Sequence, residues 1–411
     1  MQELWVGSET ARVLRSGPLG EHVDGFVQAL TSAGYEPASV CDKVKLAAQF
    51  GRWLEHRGLD VHDLDEDCVR EFLRLRRRRY RPRRGVEPTF VQLLRYLRAT
   101  GALSPPVVSV KRGTAAPIEE QYATYLREER GLTHATLINY LPLVDRFLRD
   151  RFGTGPMRFA QLDARDVPRF VLRHVRAMNP GRAKLLVTAL RSFLRFLFLR
   201  GETAIDLAPC VPAVADWRLA NLPKFISAQD VRRVLRACDR CSATGRRDYA
   251  VLLLLARLGL RAGEVVQLTL DEVDWAAGEL IVRGKGARRE RLPIPADVGH
   301  ALVQYLRRDR PRCTLRRVFL CFKAPHRGFA GASTVSTIVM RAIARAGLQT
   351  PTKGAHLLRH SLATTLLRRG ASLAEIGELL RHRSPDTTSL YAKVDLGALR
   401  AMAPPWPGGV T

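Results

Sequence analysis

Apolar residues recur along most of this chain at the spacing of an amphipathic helix. From Ser39 to Leu54 they fall at Val40, Val44, Leu46, Ala47, Phe50, Trp53 and Leu54, which predicts a helix with one buried stripe. Leu64-Asp65-Glu66-Asp67 reads as a cap ahead of a helix over Val69–Leu75, and Phe90 to Ala99 as another helix, stopped at Thr100-Gly101. Between these two lies an arginine-rich run with Pro82, from Arg76 to Arg84, which reads as a phosphate-tracking or solvated charged segment. Residues 104–117 contain adjacent prolines and read as a linker.

The same order of signals then returns. Ala135-Thr136 to Leu148 matches Ala38-Ser39 to Leu54. Leu162-Asp163-Ala164-Arg165-Asp166-Val167 matches the capped stretch from Leu64 to Val69. Leu194-Arg195-Phe196-Leu197 followed by Gly201 matches Leu94-Arg95-Tyr96-Leu97 followed by Gly101. The last two matches lie roughly 100 residues apart, so the pattern predicts two tandem copies of a small four- or five-helix module. Residues 202–224, with Pro209, Pro212 and Pro223, form the next linker.

Beyond that linker the pattern changes. Ser227-Ala228-Gln229-Asp230 caps a helix through Ala237, and Arg247 to Leu258 is apolar enough to be a central core helix. It ends at Gly259-Leu260-Arg261-Ala262-Gly263-Glu264, where a new helix begins. Leu270–Asp274 leads into Glu279–Arg283, a Gly284-Lys285-Gly286-Ala287 turn and Arg291–Ile294, which together predict a β-hairpin. Helices follow at 297–308, 333–346, 356–369 and 372–381. In the third of these, Leu357, Leu358, Leu362, Leu366 and Leu367 supply the apolar face, and Gly370 closes it. Ser372 caps the last, with Glu375 at the capping-box position, and Ser384-Pro385-Asp386 ends it.

Composition adds a partner. The 411 residues hold 67 Lys+Arg against 40 Asp+Glu, a net charge of +27. The excess is nearly all arginine, whose planar fork matches phosphate geometry, so a polyanion is the partner this balance most plainly serves. A coding bias toward arginine is the competing explanation. Seven cysteines at irregular spacing argue against a disulfide framework and for a reducing compartment. Cys238 and Cys241 form a lone C-x-x-C with no second pair, which argues against zinc. No signal-peptide pattern opens the chain, and the longest apolar run, Tyr249 to Leu260, contains Arg257 and is too short to span a bilayer. These features predict a soluble intracellular protein with no membrane partner.

Candidate chemistry concentrates between His356 and Tyr391. His356 and Arg359 are three residues apart and share a helix face. Tyr391 follows a Thr-Thr-Ser run close to Arg381 and His382, and a phenol beside cationic donors in so basic a chain suggests a nucleophile aimed at a phosphodiester.

These residues resemble the tyrosine recombinase (phage integrase) family, whose catalytic domain uses two arginines, a hairpin lysine, two histidines and a tyrosine. The first arginine is Arg261 in G-L-R-A-G-E, the lysine is Lys285 in G-K-G-A-R-R-E, and the H-x-x-R element is His356-Leu357-Leu358-Arg359, followed by His360. The second histidine is His382 in L-L-R-H, and Tyr391 lies nine residues on. The resemblance covers about residues 115–395. Arg381 departs from it, standing where the family more often has glycine.

The resemblance implies a mainly α fold with a small β-sheet or hairpin in the catalytic domain. It makes residues 113–205 a core-binding, SAM-like helical module and residues 221–411 an α+β catalytic domain, while residues 1–112, the helical module that repeats the next one, lie outside it. It also implies the roles. Arg261 and Arg359 give paired donors to the non-bridging phosphate oxygens, and His382 hydrogen-bonds the phosphate. Tyr391 attacks phosphorus to form a 3′-phosphotyrosyl link, with His356 and the arginines favouring loss of its proton, and Lys285 is the candidate acid for the leaving 5′ oxygen. Glu264 buttresses Arg261. No cofactor, metal or ATP is required. The partner is double-stranded DNA, held by a homo-tetramer on two duplexes or together with related recombinases, in the bacterial cytoplasm at the nucleoid, in the service of a mobile element. The tail with Leu396, Leu399, Met402 and Trp406 is the expected docking segment toward a neighbour. Two alternatives remain at this level: a type IB topoisomerase that relaxes DNA as a monomer, and a catalytically silent DNA-binding protein.

Overall fold

The computed structural model describes residues 15, 17–81, 85–104, 116–153, 155–214, 223–284, 289–382 and 384–392. Lys285 and the tail beyond Ala392 lie outside the described residues. The chain divides into two compact units, one made of Met1–Pro106 with Asn221–Thr411, the other of Val107–Ala220.

In the first unit, helices α1 (Val23–Ser32), α2 (Pro37–Arg57), α3 (Glu66–Arg79) and α4 (Val86–Ala99) enclose one apolar cluster. Proline at the first position opens α2 and Gly58, at φ +63°, closes it. The Asp65 carboxylate accepts the Cys68 N–H (2.8 Å), capping α3 as the acidic stretch predicts. Phe50 is the hub, with its ring edge-on to Phe72 (5.1 Å) and Phe90 (5.2 Å). Arg76–Arg79, expected as part of a separate charged run, form the last turn of α3, where the helix dipole favours cations.

The second unit contains α5 (Ala116–Thr124), which runs on as a π-turn over Tyr125–Glu129, then α6 (His134–Phe152), α7 (Asp166–Val175) and α8 (Pro180–Leu199). Its core centres on Tyr122, whose ring meets Phe193 at 5.1 Å and Phe196 at 5.3 Å. A 3-10 turn precedes α3 at Val61–Asp63 and α7 at Phe159–Gln161, and a left-handed glycine follows both α4 (Gly101, φ +77°) and α8 (Gly201, φ +73°). The order of elements is therefore the same in both sets of helices. The stretch expected as a linker after residue 201 starts differently: Leu207, Ala208 and Val211 are buried in this core.

The rest of the first unit is built around α10 (Ala243–Arg257), whose residues Ala250 to Leu255 are at most 1% exposed. Such a helix, apolar on all sides, has to be wrapped by neighbours. Around it lie α9 (Ala228–Arg236), α11 (Ala262–Gln267), α12 (Ala296–Arg308), α13 (Ala332–Arg345) and α14 (His356–Arg368). The expected hairpin is present as β2 (Glu279–Arg283) and β3 (Arg289–Pro293), in the register Arg283 with Arg289 and Leu280 with Leu292. A short β1 (Val273–Asp274) adds an antiparallel edge and completes the expected small sheet, in the order β1-β2-β3; the sequence places only the hairpin's two strands.

Helix α14 bridges two apolar clusters. Leu357 and Leu358 enter the large core, whereas Leu362, Leu366 and Leu367 pack on a small cluster of Ala363, Ile376, Leu380 and Tyr391. Ser372 and Glu375 form the expected reciprocal cap of α15 (Leu373–Leu379). Ser384-Pro385-Asp386 does more than end that helix. Ser384 caps a further short helix, α16 (Pro385–Ser389), which delivers Tyr391.

Candidate active site

The site assembles where four helix termini meet: the end of α10, the start of α14 and the turns after α15 and α16. Gly259, at φ +57°, lets the chain turn back after α10, and a Cβ there would lie 2.6 Å from a Leu380 methyl. The turn leaves the Gly259 carbonyl facing the Arg359 guanidinium and places Arg261 at the N-cap of α11.

Arg359 is only 3% exposed, and its two terminal nitrogens donate to the Gly259 and Leu380 carbonyls. Burial, together with Arg261 and Arg381, pushes its pKa down to about 10, so it remains a cation at neutral pH. Arg261 is half-buried. Its Nη1 donates to Glu264 Oε1 (2.7 Å) and its Nη2 to the Arg381 carbonyl (2.9 Å). Glu264 also accepts the Arg261 backbone N–H (2.8 Å), so one carboxylate fixes both ends of the arginine. Burial alone would raise the Glu264 pKa, but Arg381 and Arg261 hold it below the usual carboxylate range.

Arg381 explains its own departure from the family pattern. Its φ is +55°, the left-handed backbone that glycine adopts without cost. Here a large side chain accepts that conformation and is compensated by ion pairs, at 2.8 Å from Glu264 and 3.7 Å from Glu290 on β3. It thereby links the loop before His382 to β3.

Two histidines lie against the Tyr391 side chain, and a third lies beyond one of them. Tyr391 is 2% exposed, and burial pushes its pKa up to about 12 against the lowering effect of Arg359. His360 Nδ1 lies 2.8 Å from the Tyr391 hydroxyl. His382 stacks beside the Tyr391 ring (centroids 6.3 Å, planes 4° apart) and engages Thr388 Oγ1 through Nδ1 (2.7 Å). His356 is exposed at the first turn of α14, with its ring 6.1 Å from that of His360. Burial, then neighbouring histidine and arginine charges, pushes His360 down to about 4. His382 falls to the same value through burial and the arginines ahead of His360. Both are therefore neutral at pH 7. The pKa of His356 is lowered by partial loss of hydration and by Arg359 and Arg261.

The structure thus brings together Arg261, His356, Arg359, His382 and Tyr391; Lys285 lies outside the described residues. The contact that the sequence reading passed over is His360. It sits one helical turn beyond His356, on the same face, and that spacing was the available signal. Among the described residues, no group of three or more His, Cys, Asp or Glu is placed to hold a metal ion. Nor is any helix among them long and apolar enough to cross a membrane.

Residues 224–396 match the phage integrase family, and residues 120–201 match the phage integrase N-terminal SAM-like domain. The chain is 46% identical over 393 residues to y4rA of Sinorhizobium fredii, named as an integrase/recombinase, covering 95% of each protein. It is 31% identical over 304 residues to tyrosine recombinase XerD of Mycobacterium tuberculosis, covering 70% of this chain and 95% of XerD. A solved structure of a lambda integrase tetramer bound to a Holliday junction shares the fold, with a TM-score of 0.51 at 17% identity over 76% of this chain and 87% of that one. The chain belongs to the phage integrase family, the tyrosine recombinases, enzymes that cut and rejoin DNA strands.

Proposed function

We propose that this protein is a site-specific recombinase that breaks and rejoins DNA through a 3′-phosphotyrosyl intermediate on Tyr391, in the integration or transposition of a mobile element. The observation that carries this reading is the convergence of two guanidinium groups, three imidazoles and one phenol around a single point. Attack by the Tyr391 Oη forms an O–P bond and expels the 5′ oxygen. Negative charge grows on the two non-bridging oxygens as it does so. Arg261 and Arg359 stabilise that charge, since each terminal nitrogen carries a second N–H beyond the carbonyl or carboxylate it already serves. His356, at the exposed rim, and His382 hydrogen-bond the phosphate, and Lys285, which falls between β2 and β3 in the sequence, protonates the 5′ oxygen. The arginines supply the cationic clamp without a metal, and the covalent link conserves the energy of the broken bond, so ATP has no step to drive.

In this reading residues 1–112 and 113–205 are related DNA-binding modules that serve the catalytic domain at 221–411. Exchange between two duplexes requires four cleavages, and hence four copies of Tyr391. A homo-tetramer, or a mixed assembly with related recombinases, supplies them, and the lambda integrase tetramer on its junction supports that stoichiometry. The protein acts in the bacterial cytoplasm, at the nucleoid.

A duplex drawn from the DNA flanking the gene, offered with a labelled partner duplex, tests the reading. Joining of label to the partner strand is the expected result. Relaxation of a supercoiled plasmid with no partner joining would instead assign the site to topoisomerase chemistry.

A further inference from the structure

We propose that His360 is the general base that takes the phenolic proton of Tyr391. The inference rests on the recombinase reading above and extends it to a residue outside the six-residue set. Three histidines are near the phenol, and hydrogen bonding separates them. His360 Nδ1 is 2.8 Å from the Tyr391 Oη, within the reach that proton transfer needs. His382 has its Nδ1 committed to Thr388 at 2.7 Å. His356 begins α14 and is exposed, with its ring 6.1 Å from that of His360.

The surroundings of His360 favour the acceptor role. From its own helix it faces His356 and Arg359, from the turn after α15 it faces His382, and from the end of α16 it faces Tyr391. Two of these groups, together with burial, keep it neutral at pH 7, whereas the Tyr391 phenol keeps its proton. The pair is therefore O–H donating to Nδ1, with the imidazole proton on Nε2. As Oη bonds to phosphorus and the P–O5′ bond breaks, the proton passes from Oη to Nδ1. The imidazolium so formed is stabilised by the negative charge accumulating on the phosphate. On rejoining, the same proton returns to Oη when the phosphotyrosyl bond breaks.

The test uses the full-length protein and a suicide duplex nicked beside the scissile phosphate, cut from DNA flanking the gene. The rate of covalent adduct formation is followed at saturating protein from about pH 4 to about pH 9. The wild type should give a flat profile near neutrality that falls only as the pH drops toward about 4. His360→Ala should slow the adduct roughly 100-fold at pH 7 without weakening duplex binding. Its rate should climb with pH as hydroxide replaces the missing base, and added imidazole should restore part of it. His356→Gln should lower the rate but keep the flat profile. If His360→Ala is too unstable to purify, His360→Gln, which preserves the size and a hydrogen bond, carries the same pH measurement. A wild-type profile in the His360 variants, with no response to imidazole, would overturn the proposal. The underlying reading fails separately, if Tyr391→Phe still forms the adduct.

Discussion

Replacing Arg359 by alanine is expected to lower the rate of adduct formation at least ~1000-fold, because a paired donor to the charge-bearing phosphate oxygens is lost. Stability should change less than the burial of Arg359 suggests. Truncation leaves the Gly259 and Leu380 carbonyls without their donor, a cost of about 1–3 kcal/mol each. It also removes a desolvated cation, and that gain offsets part of the loss. Arg359→Lys separates the two effects. It keeps the charge and a donor but not the planar fork that spans both carbonyls, so the fold should be partly restored while the rate stays low. A thermal melt alongside the adduct assay reads both. Recovery of the rate in the lysine variant would show that charge alone is what matters there.

The second large effect is on stability. Among the described residues Glu264 is the one carboxylate shared by Arg261 and Arg381, and the Arg381 side chain is only 3% exposed. Glu264→Ala leaves that guanidinium buried with Glu290 at 3.7 Å as its remaining acidic partner, and should cost about 3–5 kcal/mol. For a domain of this size that lowers the melting temperature by roughly 10 °C. Adding Arg381→Gly should recover part of the loss, since it removes the unpaired charge and places glycine at a left-handed position. The pH dependence has a definite sign. The Glu264 pKa is lowered in the fold, so its contribution is complete above the ordinary value of 4.5 and is lost as the pH falls through the folded value. No recovery in the double variant would mean that Arg381 is held by something other than Glu264.

Much of this was legible in the sequence because it is local. Helical periodicity located α2 and α4, two short runs flanking a glycine-rich stretch located β2 and β3, and the Ser372–Glu375 spacing located the cap of α15. The ordered motif set identified the residues that converge, since family resemblance carries positions that no period reveals. What stayed hidden depends on tertiary packing. β1 is two residues long and exists only by pairing with β2. α16 is five residues long, too short for periodicity to register. The backbone at Arg381 and its bond to Glu264 span more than a hundred residues of sequence. The spacing from His356 puts His360 on the site's face of α14, but its contact with Tyr391 needs α14 and α16 brought together.

The most direct test of the account is the identity of the atom that becomes linked to DNA. Wild type and Tyr391→Phe are incubated with the nicked suicide duplex and run on a denaturing gel, and the DNA-linked peptide is identified by mass. The account predicts an adduct in the wild type only, carried by the peptide containing Tyr391 with DNA attached through its 3′ phosphate. An adduct of equal yield in Tyr391→Phe, or a link to any other residue, would contradict it.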